Sequence, residues 1–303
     1  MTHQNSLSDR NNVSDETINL QDWVGRSESR TDAVTAFPVA ALSATLNRPA
    51  DLPAAGSPIP AVWHWLYFLP LYQQSEAGPD GHPQRGGFMP PIALPRRMWA
   101  GSQITFSQPL RVGDRIRRDS TIVSINEKSG RTGSLIFVKV RHQIYRNDEA
   151  EAAIDEQHDI VYRPAASPKD RPVAPVTAPP AGLWERSVHG DELMLFRYSA
   201  LTFNGHRIHY DRSYVTAVEG YPGLIVHGPL IATLLLDGLR HQFPDAIVTH
   251  FEFKAIRPTF DINRFSICGA PLSDANRPDG KTFHLWAKDH EGWLTMDASV
   301  VIR

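Results

Sequence analysis

The chain has a single cysteine, Cys268, which excludes an internal disulfide and any cysteine-based zinc site. It contains no apolar run of about 18 residues, so no membrane-spanning helix is expected. It also lacks an excess of either charge. The 31 Lys and Arg are balanced by 33 Asp and Glu, for a net charge of −2. A protein built to bind a phosphate backbone would show a basic surplus or a dense basic stripe, so nucleic acid is not an expected partner. The opening residues, MTHQNSLSDRNNVSDE, have no apolar segment, so no secretory signal is expected and the chain is assigned to the cytoplasm. With 41% hydrophobic and 21% charged residues over 303 positions, the composition is that of a globular chain long enough for two modules.

Residues 1–18 read as a polar, disordered tail. The stretch 31–47 predicts a helix over roughly 33–46, with Thr31 or Asp32 as its cap and a stop before Pro49. An aromatic segment bounded by prolines follows at 58–73, then a glycine-rich loop at 76–87. Strand-length segments at 98–110, 114–128, 133–148 and 152–163 are separated by turn-forming residues, and Ser134 to Arg146 alternates apolar with polar side chains. The proline-rich stretch 164–182 can continue neither sheet nor helix and reads as a linker. Four more strand segments follow at 250–260, 263–272, 281–290 and 293–303. Before them lies an apolar helix over 229–243, with Pro229 in its first turn. Two halves, 19–163 and 183–303, each pairing helix with antiparallel sheet, give an α+β fold. A buried helix wrapped by a curved sheet is the hotdog arrangement, here doubled within one chain.

The densest polar cluster is FRYSALTFNGHRIHYDRSYV (196–215), followed by YPGLIVHGPLIATLLLDGL (221–239). This combination resembles the second-type hydratase/dehydratase (MaoC-like) family. It is most similar to the branch of hydroxyacyl-thioester dehydratases type 2 and mesaconyl-C4-CoA hydratases, and WVGR at 23–26 and WHWLYFLP at 63–70 are similar to the N-terminal half of that branch. The resemblance implies a hydro-lyase acting on an enoyl-CoA thioester, without cofactor, with His209 as the catalytic histidine. At the position of the family's catalytic Asp stands Asn204, and its Asn-Pro pair reads His206-Arg207. An amide orients water but is no base near neutral pH. Either His209 moves the proton alone, with Asn204 positioning the water, or another carboxylate enters. Asp211, the nearest in sequence, is better placed as a helix cap.

The residues support that chemistry independently. Water addition to an enoyl thioester needs a base and donors that polarise the carbonyl. His209 titrates in the right range, and Gly228 opens the buried helix with a backbone N–H and no side chain. His227 is expected to fix the loop by a hydrogen bond. Tyr198 and Ser199 either touch substrate or pack. His206 and His227 find no carboxylate or thiol at metal-ligand spacing, so no metal is expected. Arg207 would clamp a free carboxylate on the acyl group or else face solvent or the CoA phosphates; Arg26, Arg96, Arg97 and Arg257 are further candidates. Among Trp63, His64, Trp65, Tyr67 and Phe68, core packing comes first and a wall of the acyl pocket second. His64, His82, His142 and His158 lack the context of His209, which predicts one active site per chain, in the second half and roofed by the first.

The leading activity is hydration of a short C4-dicarboxyl enoyl-CoA such as mesaconyl-C4-CoA. Itaconyl-CoA hydration and 3-hydroxyacyl-thioester dehydration are alternatives within the class. A thioesterase would need a carboxylate that Asn204 does not provide, while a non-catalytic thioester-binding protein would be consistent with Asn204. Because doubling the fold satisfies the sheet edge that single hotdogs pair by dimerising, a monomer is expected to suffice, or a homodimer of the doubled unit.

Overall fold

The computed structural model describes residues 19–130, 133–165, 174–180, 182–272 and 281–303. The tail at 1–18 and most of the linker core, 166–173 and 181, lie outside the described residues. Alternation builds the sheet as the sequence predicts. In β4 (Gly133–Arg146), Ile136, Val138, Val140 and Ile144 are buried while Arg141 between them is exposed. The other first-half strands are β1 (Ser27–Ala33), β2 (Arg96–Phe106), β3 (Arg115–Gly130) and β5 (Ile154–Arg163). The second half supplies β6 (Trp184–Val188), β7 (Val248–Ala255), β8 (Phe265–Leu272), β9 (Lys281–Lys288) and β10 (Leu294–Ile302).

All ten strands pair antiparallel in one sheet of order β1-β3-β4-β5-β2-β7-β10-β9-β8-β6. The order is symmetric about the β2–β7 junction, with each first-half strand matched by the strand five places later. The weak internal likeness of the two sets of strands is therefore a true repeat of elements, with the central junction running from Gly101↔Lys254 to Thr105↔His250.

The helices break the symmetry. In the second half, α2 (Glu192–Leu201), α3 (Arg212–Ala217) and α4 (Gly228–Gln242) lie between β6 and β7. The apolar helix expected over 229–243 is α4, buried continuously from Leu230 to Leu239 against β8, β9 and β10. The charge it buries, Asp237, is matched by Arg48, Arg186 and Arg240. This satisfies the rule that a buried charge is paired, and Arg48 ties the first half to the central helix of the second. The first half has no such helix. Between α1 (Ala36–Thr45) and β2 it has only two short 3-10 turns, Trp63–Leu66 and Gln74–Glu76. No helix among the described residues is long and apolar enough to cross a membrane.

Two local expectations need correction. The helix expected over 33–46 starts at Ala36 with Thr35 at the cap position, and Pro38 is tolerated because first-turn amides have no intrahelical partner. Thr31 and Asp32 belong instead to β1, an exposed edge strand whose sequence SESRTDA has no apolar alternation to betray it. The Asp32 carboxylate accepts the Phe68 N–H at 2.7 Å, anchoring the aromatic segment rather than capping a helix.

At the β2–β7 junction a Cβ on Gly101 would overlap the Phe253 carbonyl. Gly101→Ala is expected to lower stability by about 1–3 kcal/mol, the usual cost of overpacking, read from the shift in urea midpoint.

Candidate active site

Where the first half has no central helix among the described residues, both halves line an open-mouthed cavity of about 770 Å³. The motif loop reaches its wall by a series of local hydrogen bonds. Helix α2 ends at Leu201, and Phe203 turns the chain with φ of +48°. Asn204 Oδ1 then accepts the His206 N–H at 3.0 Å, and a 3-10 turn carries Arg207–His209. Asp211 caps α3 by accepting the Tyr214 N–H at 2.9 Å, as its place in the sequence suggests.

His209 is buried, and its Nδ1 donates to the Ile225 carbonyl at 2.7 Å. That bond sets the tautomer, because a carbonyl only accepts, and it leaves the Nε2 lone pair without a protein partner at the cavity wall. Burial pushes the His209 pKa down to about 4, against the raising influence of the Ile225 hydrogen bond. The ring stacks on His227 at 3.6 Å between centroids and 17° between planes. His227 Nε2 lies 2.8 Å from Ser199 Oγ, and the Tyr198 ring packs edge-on to His227 at 5.0 Å. Ser199 and Tyr198 thus brace the histidine that braces His209, although Tyr198 also touches the cavity. Gly228 begins α4 at the cavity wall, and a Cβ there would meet nothing within 4 Å. Its N–H belongs to a helix first turn, whose amides have no intrahelical acceptor.

Arg207 is not in the cavity. It pairs with Asp211 at 2.8 Å, donates to the Pro79 carbonyl and lies over the Tyr214 ring. Clamping an acyl carboxylate is therefore not its role, because its guanidinium is committed outside the pocket. Arg96 is paired with Glu219 at 2.8 Å, Arg257 approaches Asp289 at 3.6 Å, and Arg26 packs on Trp23. Arg97 lines the cavity with no hydrogen bond or ion pair among the described residues. Of the aromatic run, Trp63 is core, while His64, Trp65, Tyr67 and Phe68 line the cavity as well as packing.

Sequence spacing did not reveal what the first half brings to the site. The loop 76–87 lies against the motif loop and places Asp80 and His82 beside His206, with 4.1 Å between the His82 and His206 ring centroids. Asp80 Oδ2 accepts from His82 Nδ1 at 3.0 Å. Burial alone would raise the Asp80 pKa, but the hydrogen bond and charge of His82 outweigh it and hold the carboxyl well below its ordinary range. His82 is pushed down to about 4 by burial and by Arg97, against the upward pull of Asp80. No pattern joins residues 80–82 to residue 209, and the one signal was an acid–Gly–His string in a glycine-rich loop. Asp80, His82 and His206 also place three metal-ligand-type atoms within 4.8 Å of one another, an arrangement not foreseen from spacing. Both Asp80 oxygens accept from His82, through its Nδ1 and its backbone N–H, and Arg97 lies close enough to lower the His82 pKa.

The end of the cavity under β3, β4 and β5 mixes polar side chains with Val140, Ile144 and Ile160. Glu156 is buried there and accepts from His64 Nε2 at 2.8 Å, Trp65 Nε1 at 3.1 Å and Ser102 Oγ at 3.2 Å. His142, His158 and Arg118 line the same end.

The buried histidines make stability depend on pH. His82, His142, His206, His209 and His227 all have pKa values below the ordinary 6.5, each chiefly through burial. Below pH 6.5 the unfolded chain binds protons that the folded chain refuses. Stability is thus complete above pH 6.5 and is lost as pH falls towards 4, by up to about 1.4 kcal/mol per pH unit for each such group. Urea midpoints are expected to fall from pH 7 to pH 5, with His227→Phe flattening that slope.

Comparison with known proteins agrees with this geometry. The model of the family described as hydroxyacyl-thioester dehydratase type 2 matches residues 62–261. The mesaconyl-C(4)-CoA hydratase of Chloroflexus aurantiacus is 48% identical over 266 residues, covering 86% of this chain and 94% of that protein. The mitochondrial hydroxyacyl-thioester dehydratase type 2 of Schizosaccharomyces pombe is 26% identical over 236 residues, covering 68% of this chain and 76% of that one. Among solved structures, a MaoC-like dehydratase superposes with a TM-score of 0.70 at 16% identity, covering 94% of this chain and 99% of that chain, which shows the fold. With the motif loop, the central helix and the family match in agreement, the chain belongs to the hydroxyacyl-thioester dehydratase type 2 family.

Proposed function

We propose that the chain is a hydro-lyase that adds water to mesaconyl-C4-CoA (3-methylfumaryl-CoA) to give citramalyl-CoA. The observation that carries hydration is the His209 tautomer. With Nδ1–H held by the Ile225 carbonyl, Nε2 can take a proton from water in the cavity. Asn204, its Oδ1 engaged by the His206 N–H, keeps its amide donors for that water. As the water oxygen bonds to the β-carbon, the alkene electrons move onto the thioester oxygen. The Gly228 N–H and the positive end of α4 are placed to hold the developing enolate. His209 then returns the proton to the α-carbon. The same groups run the reverse dehydration.

The substrate assignment is supported by the 48% identical relative and by the cavity's chemistry. Glu156, His142 and His158 line the cavity beside Val140, Ile144 and Ile160, so a polar acyl group finds hydrogen-bonding partners there. The free carboxylate of a 3-methylfumaryl group sits on the β-carbon itself, so its receptor must lie near the catalytic groups. Arg97, whose side chain has no ion pair among the described residues and which lies close enough to lower the pKa of both His82 and His206, fits that position. Arg96, Arg163 and Arg257, also around the cavity, suit the phosphates of CoA. A single doubled chain contains every residue in this scheme, so a monomer suffices for activity.

Loss of enoyl-thioester absorbance tests the reading. Hydration of mesaconyl-C4-CoA by the wild type is expected, and His209→Ala should lower kcat by about 10² to 10⁴, the range for an acid–base group. Hydration that persists in His209→Ala would remove His209 from the chemistry. Arg97→Met should lower kcat/KM for mesaconyl-C4-CoA by roughly tenfold to a hundredfold while sparing crotonyl-CoA, which has no carboxylate. An equal fall for both substrates would assign Arg97 to CoA instead.

A further inference from the structure

Four imidazoles stand in a row along one wall of the cavity. His82 and His206 are 4.1 Å apart, His206 and His209 5.5 Å, and His209 and His227 3.6 Å, centroid to centroid. Water addition puts a proton, and hence a positive charge, on this row. A carboxylate is the natural counterpart of such a charge, as in the triads where an acid stabilises the imidazolium that forms. The motif has none, since position 204 is an amide. His209 leans on a neutral carbonyl and His227 on a hydroxyl. Among the described residues, His82 alone in the row has an anion as partner, Asp80 at 3.0 Å.

The other carboxylates lining the cavity are engaged elsewhere. Glu28 is paired with Arg30 at 3.1 Å, Glu219 with Arg96 at 2.8 Å, and Glu156 with His64 at the far end. The position of Asp80 is built rather than incidental. Its carbonyl accepts the Arg207 N–H at 2.9 Å, and Tyr72 donates to the Gly81 carbonyl at 2.6 Å. Gly81 has φ of +86°, and a Cβ there would overlap the Gly205 carbonyl, so the two loops meet backbone to backbone. The partner that Arg207 holds is thus the loop carrying Asp80, beside the motif position that lost its acid.

We propose that Asp80, reaching in from the first half, supplies the carboxylate that the motif lacks at position 204, stabilising through His82 the positive charge carried by the imidazole row during water addition. Asp80 and His82 are positioning residues; His209 remains the group that touches the water. The step balances within the site. The water O–H bond breaks, its proton moves to His209 Nε2, its oxygen bonds the β-carbon, and the alkene pair becomes the enolate. The α-carbon then recovers the proton from His209, and Asp80 stays ionised throughout. This inference rests on the hydratase reading of the site.

Asp80→Asn keeps the shape and removes the charge. Its kcat on mesaconyl-C4-CoA is expected to fall by roughly tenfold to a hundredfold with KM within about threefold. The carboxylate raises the pKa values of His82 and His206; under the proposal that support extends along the row to His209, so the acid limb of kcat/KM should move to lower pH. A structural role alone would not respond to charge restored elsewhere, so the deciding variant is Asp80→Asn with Asn204→Asp, expected to regain about tenfold or more of the lost kcat. A kcat within about twofold of wild type in Asp80→Asn, or no recovery in a double variant with unchanged thermal midpoint, overturns the proposal. Should Asp80→Asn fail to fold, His82→Gln, which leaves the backbone lock intact, carries the test. A kcat near wild type would overturn it equally. Running crotonyl-CoA in parallel separates the readings. Wild-type activity on crotonyl-CoA alone rejects the mesaconyl assignment and leaves the Asp80 comparison readable there. Wild-type silence on both rejects the hydratase and this inference with it.

Discussion

The pairing of β2 with β7 is the contact on which the rest of the molecule depends. It joins two five-stranded half-sheets, each with an otherwise open inner edge, into one ten-stranded sheet, and it sets the two concave faces side by side. One face is filled by α4. The other lacks a central helix, and the space that helix would occupy becomes the cavity. A continuous backbone ladder across the junction holds the filled and the hollow half in fixed relation. This allows His209 and the other motif-loop side chains of one half to face side chains from the other at defined distances. Arg48, bound to Asp237 on α4, is a second tie across the same division.

The chemistry follows from what surrounds each imidazole. His209 is kept neutral by burial and held in one tautomer by a carbonyl, which leaves its Nε2 lone pair facing the cavity. His227 is stacked beneath it and pinned near Ser199. The helix terminus at Gly228 opens onto the same cavity. Three kinds of group thus meet there: first-turn backbone donors, a braced ring, and a first-half loop carrying a carboxylate.

Much of the fold was legible because burial writes a period into sequence. Leu230 to Leu239 could only be a helix covered on all sides, and Ser134 to Arg146 alternates with a period of two. The motif around His209 was legible because its spacing is local, with capping and turn residues at short intervals. What failed to register had no such imprint. Strand β1 is polar throughout and exists because β3 offers it an edge. Arg207 looked like an anion receptor because its charge is visible in sequence while its partner Asp211, four residues on, had been assigned to capping alone; it does both. Asp80 and His82 lie more than a hundred residues from the histidine they adjoin in space, and only the folded sheet brings that loop home.

The backbone contact between Gly81 and Gly205 has a bearing on how such a chain can change over time. The strands of the hollow half face a cavity and tolerate new side chains according to whatever acyl group selection favours. The two loops have no such latitude, because neither accepts a side chain without displacing the other. In related chains these two short segments should therefore alter together or not at all. The first half, which lacks the motif, is thereby held to the sequence of the half that carries it where these two loops touch.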